Sequence, residues 1–327
     1  MIPTADAQVL LLLCSQLGLP AQADPTHLTL REWNPLARKV QASSLARPGA
    51  LLGLAAPDLQ AALDLPPADA DRLARLLDRS RVLAIELERL ASLGIWVVTR
   101  ADVEYPQRFR QRLRESAPAV LFGAGEAALP GQPGLAVVGS RNVNEAGQAL
   151  AGFIGNACAR CGLVLYSGGA RGVDTMATRA ALEARGTAVG ILADSLEKAI
   201  RAPEARAALA RRDLALVTPC APNAGFSVGA AMGRNRLIYA LADYALVIAS
   251  DEGKGGTWAG AVEALRARWI PVFAADGPGV PEGNRRLLEK GALPFPLQFL
   301  DPALSLRSWL ESHATDVGTP PTQTRLF

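Results

Sequence analysis

Histidine, aromatic residues and cysteine are all scarce in this chain. The two histidines, His27 and His313, are far apart in sequence and cannot by themselves build a metal site or a Ser/His/Asp nucleophile set. Aromatics make up 5% of residues, so stacking on rings is not a general binding strategy here. No apolar run approaches the ~20 residues of a membrane span. The start of the chain has Asp6, no basic segment and only the short apolar run Val9–Leu13, which argues against a signal peptide and for a cytoplasmic protein. Of the four cysteines, Cys14 and Cys220 are isolated, while Cys158 and Cys161 form one C-x-x-C. That pair falls on the helical stripe Leu150, Phe153, Ile154, Ala157, Cys158, Cys161, which predicts core packing rather than metal or redox chemistry. Charge of one sign is also lacking: the net charge is +3, so any basic footprint must be local.

Half of the 327 residues are hydrophobic, enough to bury a sizeable core in about two domains. Residues 1 to about 90 read as helical. The clearest stripe is Leu73, Leu76, Leu77, Leu83, Leu87, Leu90, with Asp69 and Asp71 at its start and Gly94 as its stop. Leu63–Leu73 is like one half of a helix–hairpin–helix, but it lacks the glycines that would offer amides to a phosphate, and an ordinary helical bundle is the better expectation. Residues 123–134 hold four Gly and two Pro and read as a linker. Beyond it, apolar runs at Leu135–Val138, Leu163–Tyr166, Ala188–Leu192, Leu214–Val217, Ala245–Ala249 and Ile270–Ala274 alternate with segments of helix length. This predicts a doubly wound, mostly parallel α/β sheet of the extended Rossmann type, preceded by a small helical domain. The expected layout is a helical domain with its lead-in over 1–122, the linker, the Rossmann-like domain over 135–312 and a disordered Thr- and Pro-rich tail over 313–327.

Ligands of such sheets lie beyond the C-terminal ends of the strands. Three loops there stand out: Gly139-Ser140-Arg141-Asn142, Ser167-Gly168-Gly169-Ala170-Arg171-Gly172-Val173-Asp174, and Glu252-Gly253-Lys254-Gly255-Gly256-Thr257. Each is small, carries a basic residue and opens a helix, which suits phosphate binding through backbone amides and helix N-termini. A fourth element, Gly233-Arg234-Asn235-Arg236, is placed just before the helical stretch Leu237–Ala242, its arginines suited to phosphates and its asparagine to a base or sugar; a plain solvated helix start is the alternative. Asp174 is expected to cap its helix rather than act as a base. Trp258 would either stack on a base or pack into the following helix, and packing is favoured. Dinucleotide binding is disfavoured because the first turn is not G-x-G-x-x-G and the second strand ends in Tyr166-Ser167 rather than an acid. A P-loop is absent as well. What remains is a polyanion held by Arg, Lys and amides, which fits a nucleic-acid strand.

In this order the loops resemble the DprA/Smf family of DNA-processing proteins, from about Tyr105 to Ala292. The resemblance is carried by Tyr105-Pro106, Pro118–Gly123, Val138–Arg141, Ser167–Asp174, Gly233–Ile238, Gly255–Thr257, Gly283-Asn284 and Gly291-Ala292. It implies an extended Rossmann fold, homodimerisation, single-stranded DNA binding and loading of the recombinase RecA in natural transformation or recombination, with no catalytic residues, cofactor or metal. Carried over by position, the DNA site would comprise Gly139, Ser140, Arg141, Ser167, Gly168, Gly169, Arg171, Arg234, Asn235, Arg236, Lys254, Gly255, Gly256 and Thr257. The sequence departs from the family pattern at Ala177-Thr178 (family Ala-His), Thr218-Pro219 (Ser-Glu) and Gly255-Gly-Thr-Trp258 (Ser-Gly-Ser-Leu), and it shows no C-terminal winged helix, which marks a divergent member. Gln323-Thr-Arg-Leu-Phe327 is similar to short peptides that bind the replication sliding clamp, through Gln323, Leu326 and Phe327.

Two other classes compete. One is an enzyme or sensor for a small nucleotide, like the related phosphoribohydrolases or anti-phage defence proteins. Their Gly-Gly-x-Gly-Thr-x-x-Glu loop is matched here only with its acid at Glu263, six residues after Thr257, where a helix turns it off the site's face. The other is an adaptor acting through the helical domain and the clamp-like tail.

Overall fold

In the computed structural model, which describes residues 3–20, 23–297 and 305–314, the chain divides into two units, with the division between Phe122 and Gly123. The sequence before it forms α1 (Ala5–Cys14), α2 (Leu30–Ala42), α3 (Ala56–Leu63), α4 (Pro67–Leu77), α5 (Ser80–Ser92), β1 (Ile95–Thr99) and α6 (Gln107–Leu113), and β2 (Val120–Gly125) straddles the division. Thr4 caps α1, its Oγ accepting from the Ala7 amide at 3.2 Å. The α1 residues Val9, Leu10, Leu12 and Leu13 are fully buried with Leu59, Leu76 and Leu90 of the helices that follow. The predicted stripe across Asp69–Leu90 is two helices, not one. They break at Asp78-Arg79, where Arg79 donates to the Leu76 carbonyl (3.1 Å), the Leu17 carbonyl (2.8 Å) and the Leu12 carbonyl, meeting acceptors that helix ends leave unpaired. Gly94 lies just past α5 at φ +73°, as its role as a stop requires. The Tyr105-Pro106 and Pro118 motifs meet in space: Tyr105 is buried and its hydroxyl donates to the Pro118 carbonyl at 2.7 Å.

The second unit continues with β3 (Gly134–Gly139), α7 (Glu145–Cys161), β4 (Val164–Ser167), α8 (Val173–Glu183), β5 (Ala188–Ile191), α9 (Leu196–Ala199), α10 (Pro203–Ala210), β6 (Leu214–Thr218), α11 (Val228–Leu241), β7 (Tyr244–Ala249), α12 (Gly255–Ala267), β8 (Val272–Asp276), α13 (Glu282–Glu289), β9 (Leu293–Pro296) and α14 (Leu306–His313). Its strands lie in the order β6-β5-β4-β3-β7-β8-β9, every neighbouring pair parallel. The six apolar runs are β3 to β8, and their residues are almost completely buried, as a parallel sheet covered on both faces demands. The fold is therefore the Rossmann-like, doubly wound one expected.

The predicted linker is not free. Gly123–Gly125 ends β2, Leu129–Gly131 makes a 3₁₀ turn and Gly134 opens β3. Helices α7 and α8 approach so closely at Gly155 that a side chain there would meet the Ala177 carbonyl and stand 2.8 Å from Ala180 Cβ. The thiols fall as predicted on α7: Cys158 is fully buried, and Cys161 is half-buried with its Sγ 3.8 Å from Ser305 Oγ. His313, placed in the tail by sequence, is the last residue of α14, whose Trp309 packs on Phe273 and Phe295. The clamp-like segment Gln323–Phe327 lies outside the described residues. Among the described residues no helix is long and apolar enough to cross a membrane.

Candidate nucleic-acid interface

From β3 the chain winds outward through β4, β5 and β6, then crosses back to lay β7 on the other side of β3. The three small loops thus leave three adjacent strands, β4, β3 and β7, and open α8 and α12 at the point where the winding direction reverses. This is where doubly wound sheets bind ligands.

The loops are tied to one another. Ser140 donates its amide to the Ala249 carbonyl at 2.8 Å, and Thr257 Oγ1 reaches the Gly139 carbonyl at 3.4 Å. Gly172 lies at φ +87°, and a side chain there would come within 2.5 Å of the Ser140 carbonyl and 2.6 Å of that of Arg141, so this crossing of two loops requires glycine. Ser167 is fully buried, and its hydroxyl donates to the Val137 carbonyl at 2.8 Å. It therefore locks β4 to β3 instead of facing a ligand.

Arg234 does not precede a helix, as the sequence suggested; it lies within α11, which begins at Val228. Ser227 caps that start, its Oγ accepting from the Ala230 amide at 3.0 Å. From α11 the guanidinium reaches across the sheet edge to Gly168, close enough that a side chain on Gly168 would overlap Nη1 and stand 2.5 Å from Cζ. Arg234 is only 8% exposed, and its Nε and Nη1 have no hydrogen-bond partner among the described residues. Burial pushes its pKa down. Asp174 and Asp194 oppose that shift, and Arg141 adds to it.

Asp174 is the residue whose role the sequence misassigned. It sits in the first turn of α8, but its Oδ2 accepts from the amides of Gly168 (3.1 Å) and Ala170 (3.4 Å), in the loop before the helix. It is a staple of the loop between β4 and α8 rather than a helix cap. Burial pushes its carboxyl up to about 6, against the opposing pull of Arg234 and the loop amides. The one signal for this in the sequence was an acid six positions after Gly168.

The remaining predicted residues fall into two groups. Arg141, Gly169, Arg171, Lys254 and Gly255 are exposed on the loops. Asn235, Arg236, Gly256 and Thr257 instead join α11 to α12. Asn235 fills the space that a Gly256 side chain would need, its Cγ 2.9 Å from that position. Arg236 stands two residues from Arg234, on another side of the helix, and pairs with Glu263 at 3.8 Å. The same pair occupies the one carboxylate that the phosphoribohydrolase comparison rested on. Trp258 is half-buried, with Lys290 Nζ 6.0 Å from its ring centroid. Gly283-Asn284 is structural. Asn284 is fully buried, accepting from the Ser250 amide (2.8 Å) and donating to the carbonyls of Ile248 (3.1 Å) and Ala275 (3.0 Å).

The fold and these loops define a Rossmann-like protein whose glycine-rich strand-end loops carry Arg141, Arg171 and Lys254 along one sheet edge. The chain belongs to the DNA recombination-mediator protein A (DprA) family, whose model it matches over residues 96–298. It is 31% identical over 235 residues to a protein of Mycobacterium tuberculosis described as a DNA processing protein DprA, covering 67% of this chain. It is 28% identical over 218 residues to the DNA processing protein DprA of Bacillus subtilis, covering 65% of this chain and 70% of that one. The chain spans 59% of the length of the M. tuberculosis relative. The crystal structure of DprA from Streptococcus pneumoniae superposes with a TM-score of 0.62 at 19% identity, covering 90% of this chain and 95% of that one. A DprA structure from Helicobacter pylori, reported for its single-stranded DNA binding mode, gives 0.54 at 23% identity, over 67% of this chain and 97% of that one. These two likenesses carry the fold.

Proposed function

We propose that this protein binds single-stranded DNA as a DprA-type mediator and hands it, as a homodimer, to the recombinase RecA in natural transformation or recombination. It performs no catalytic step and uses no cofactor. The observation that carries the reading is Arg234. A buried guanidinium with two unpartnered donors costs several kcal/mol unless a ligand compensates it, and a phosphate or a base edge does so. Arg141, Arg171 and Lys254 ring the same edge and would meet the backbone. Gly169 and Gly255 would let it approach the amides, Gly168 and Gly256 make room for Arg234 and Asn235 instead, and Gly139, with Ser140 after it, ends β3 beside them. Asn235 and Arg236 take a supporting part in this reading, holding α12 in place. A single strand can follow such a crevice; a stiff duplex cannot.

Fluorescence anisotropy with labelled oligo-dT at two salt concentrations tests this. The wild type is expected to bind tightly and salt-sensitively, and Arg141→Ala/Lys254→Ala to lose that binding. Binding that the double variant retains would remove the loops from the site.

A further inference from the structure

The exposed basic residues would account for attraction to DNA, but they leave unexplained why an acid is buried beside the buried Arg234. Asp174 is 5% exposed and shares the space around Gly168 with the Arg234 guanidinium: a side chain on Gly168 would stand 2.7 Å from Asp174 Oδ2 and 2.5 Å from Arg234 Cζ. Yet the carboxylate makes no hydrogen bond to Arg234, whose Nε and Nη1 have no partner among the described residues. It uses Oδ2 on the Gly168 and Ala170 amides. The acid therefore shapes the loop and lowers the field of Arg234 without occupying its donors.

Resting on the single-strand reading of this site, we infer that Asp174 is a positioning residue that tunes the pocket: its backbone contacts hold the loop open around Arg234, and its charge weakens the hold on an incoming phosphate. When Asp174 ionises, a bound phosphate meets a second anion a few ångströms away. When it takes up a proton, the full charge of Arg234 faces the ligand. The groups around Asp174 are Arg234 and Tyr239 on α11 and the Gly139 amide at the end of β3, and Arg234 in turn feels Arg141 of the loop after β3 and Asp194 after β5, while α7 packs on α8 through Gly155. With the carboxyl pushed up to about 6, the change falls in a window where the DNA phosphates do not titrate.

Asp174→Asn separates the two roles, because an amide oxygen can still accept from both loop amides while the negative charge is gone. Anisotropy with oligo-dT is measured from pH 5 to 7.5 at fixed salt, with thermal melts as the folding control. The wild type is expected to bind more tightly as the pH falls through about 6. Asp174→Asn should bind roughly tenfold more tightly than wild type at pH 7.5, as removal of a unit charge at this range implies, and lose that part of the pH dependence. His27 and His313 are present in both proteins, so the difference between them isolates Asp174. Asp174→Ala should lose affinity at every pH, because the loop loses its staple. Equal affinities of wild type and Asp174→Asn across the range would overturn the inference while leaving the DNA site intact. Should Asp174→Asn fail to fold, the wild-type profile decides, and a flat one overturns it. A wild type that does not bind the strand at all would remove the reading of the site, and this inference with it.

Discussion

Replacing Gly168 by alanine adds one methyl group at the point where the binding reading is most exposed to failure. Gly168 is not among the glycines at positive φ, so its backbone accepts a side chain. What the side chain meets is the Arg234 head, with Cζ at 2.5 Å where ordinary contact begins at 3.4 Å, and Asp174 Oδ2 at 2.7 Å. The guanidinium must retreat by about 1 Å at Cζ and further at Nη1, a displacement that destroys hydrogen-bond geometry with a ligand held by the loop amides. A hydrogen bond from a charged donor is worth about 1.5–3 kcal/mol, so affinity for oligo-dT should fall roughly 10- to 100-fold. Stability should fall far less, because a flexible arginine head can swing out. The assay is anisotropy at low salt with circular-dichroism melts in parallel. Gly152→Ala on α7, where nothing lies within 4 Å, is the control: it should leave binding unchanged. Wild-type affinity in folded Gly168→Ala would show that Arg234 as placed here does not hold the strand, and the functional reading would lose its main support.

The other predictions concern stability and electrostatics. Asn284→Ala removes a buried amide that serves one amide and two carbonyls at the ends of β7 and β8 and should cost about 2–4 kcal/mol in chemical denaturation. An unchanged midpoint would refute that staple. The logarithm of the DNA affinity should fall linearly with the logarithm of salt, by about 0.7 per phosphate contact, and duplex should bind more weakly. Salt-independent affinity or equal affinity for duplex would contradict the crevice. Asp174, raised from 3.8 to about 6 in the fold, contributes stability that is present below about 4 and lost as pH rises through 6. From pH 7 to 5 the unfolding free energy of the wild type should therefore gain about 1 kcal/mol relative to Asp174→Asn. The comparison is needed because His27, lowered chiefly by burial, pulls the other way. Glu32, lowered to about 2 chiefly by its Arg72 hydrogen bond, changes nothing in that window. Parallel pH curves for the two proteins would remove Asp174 as the cause.

The six central strands were legible because strands buried on both faces must be apolar throughout, and that signal needs no partner to be read. β1 was not, because its middle residues are only half-buried, and β9 (Leu293–Pro296) was hidden by two prolines in four residues. The start of α11 was missed for a related reason. Gly233–Arg236 read as the stretch before a helix, while Ser227 caps a helix that already begins at Val228.

For the site, the sequence by itself determined the ingredients: glycines that let backbone amides come forward, basic residues beside them, and strand ends that the alternation of elements places on one edge. Those are local properties of backbone freedom and charge. Only the tertiary structure decided which of them stand exposed at that edge and which are tied up within the fold. It buried Ser167 in a strand lock, turned Arg236 to Glu263 and set Asn235 against Gly256. It also drove Arg234, 66 residues after Gly168, into contact with it beside an acid that holds the loop. Burial and the loss of hydrogen-bond partners depend on atoms distant in sequence, so no local pattern reports them.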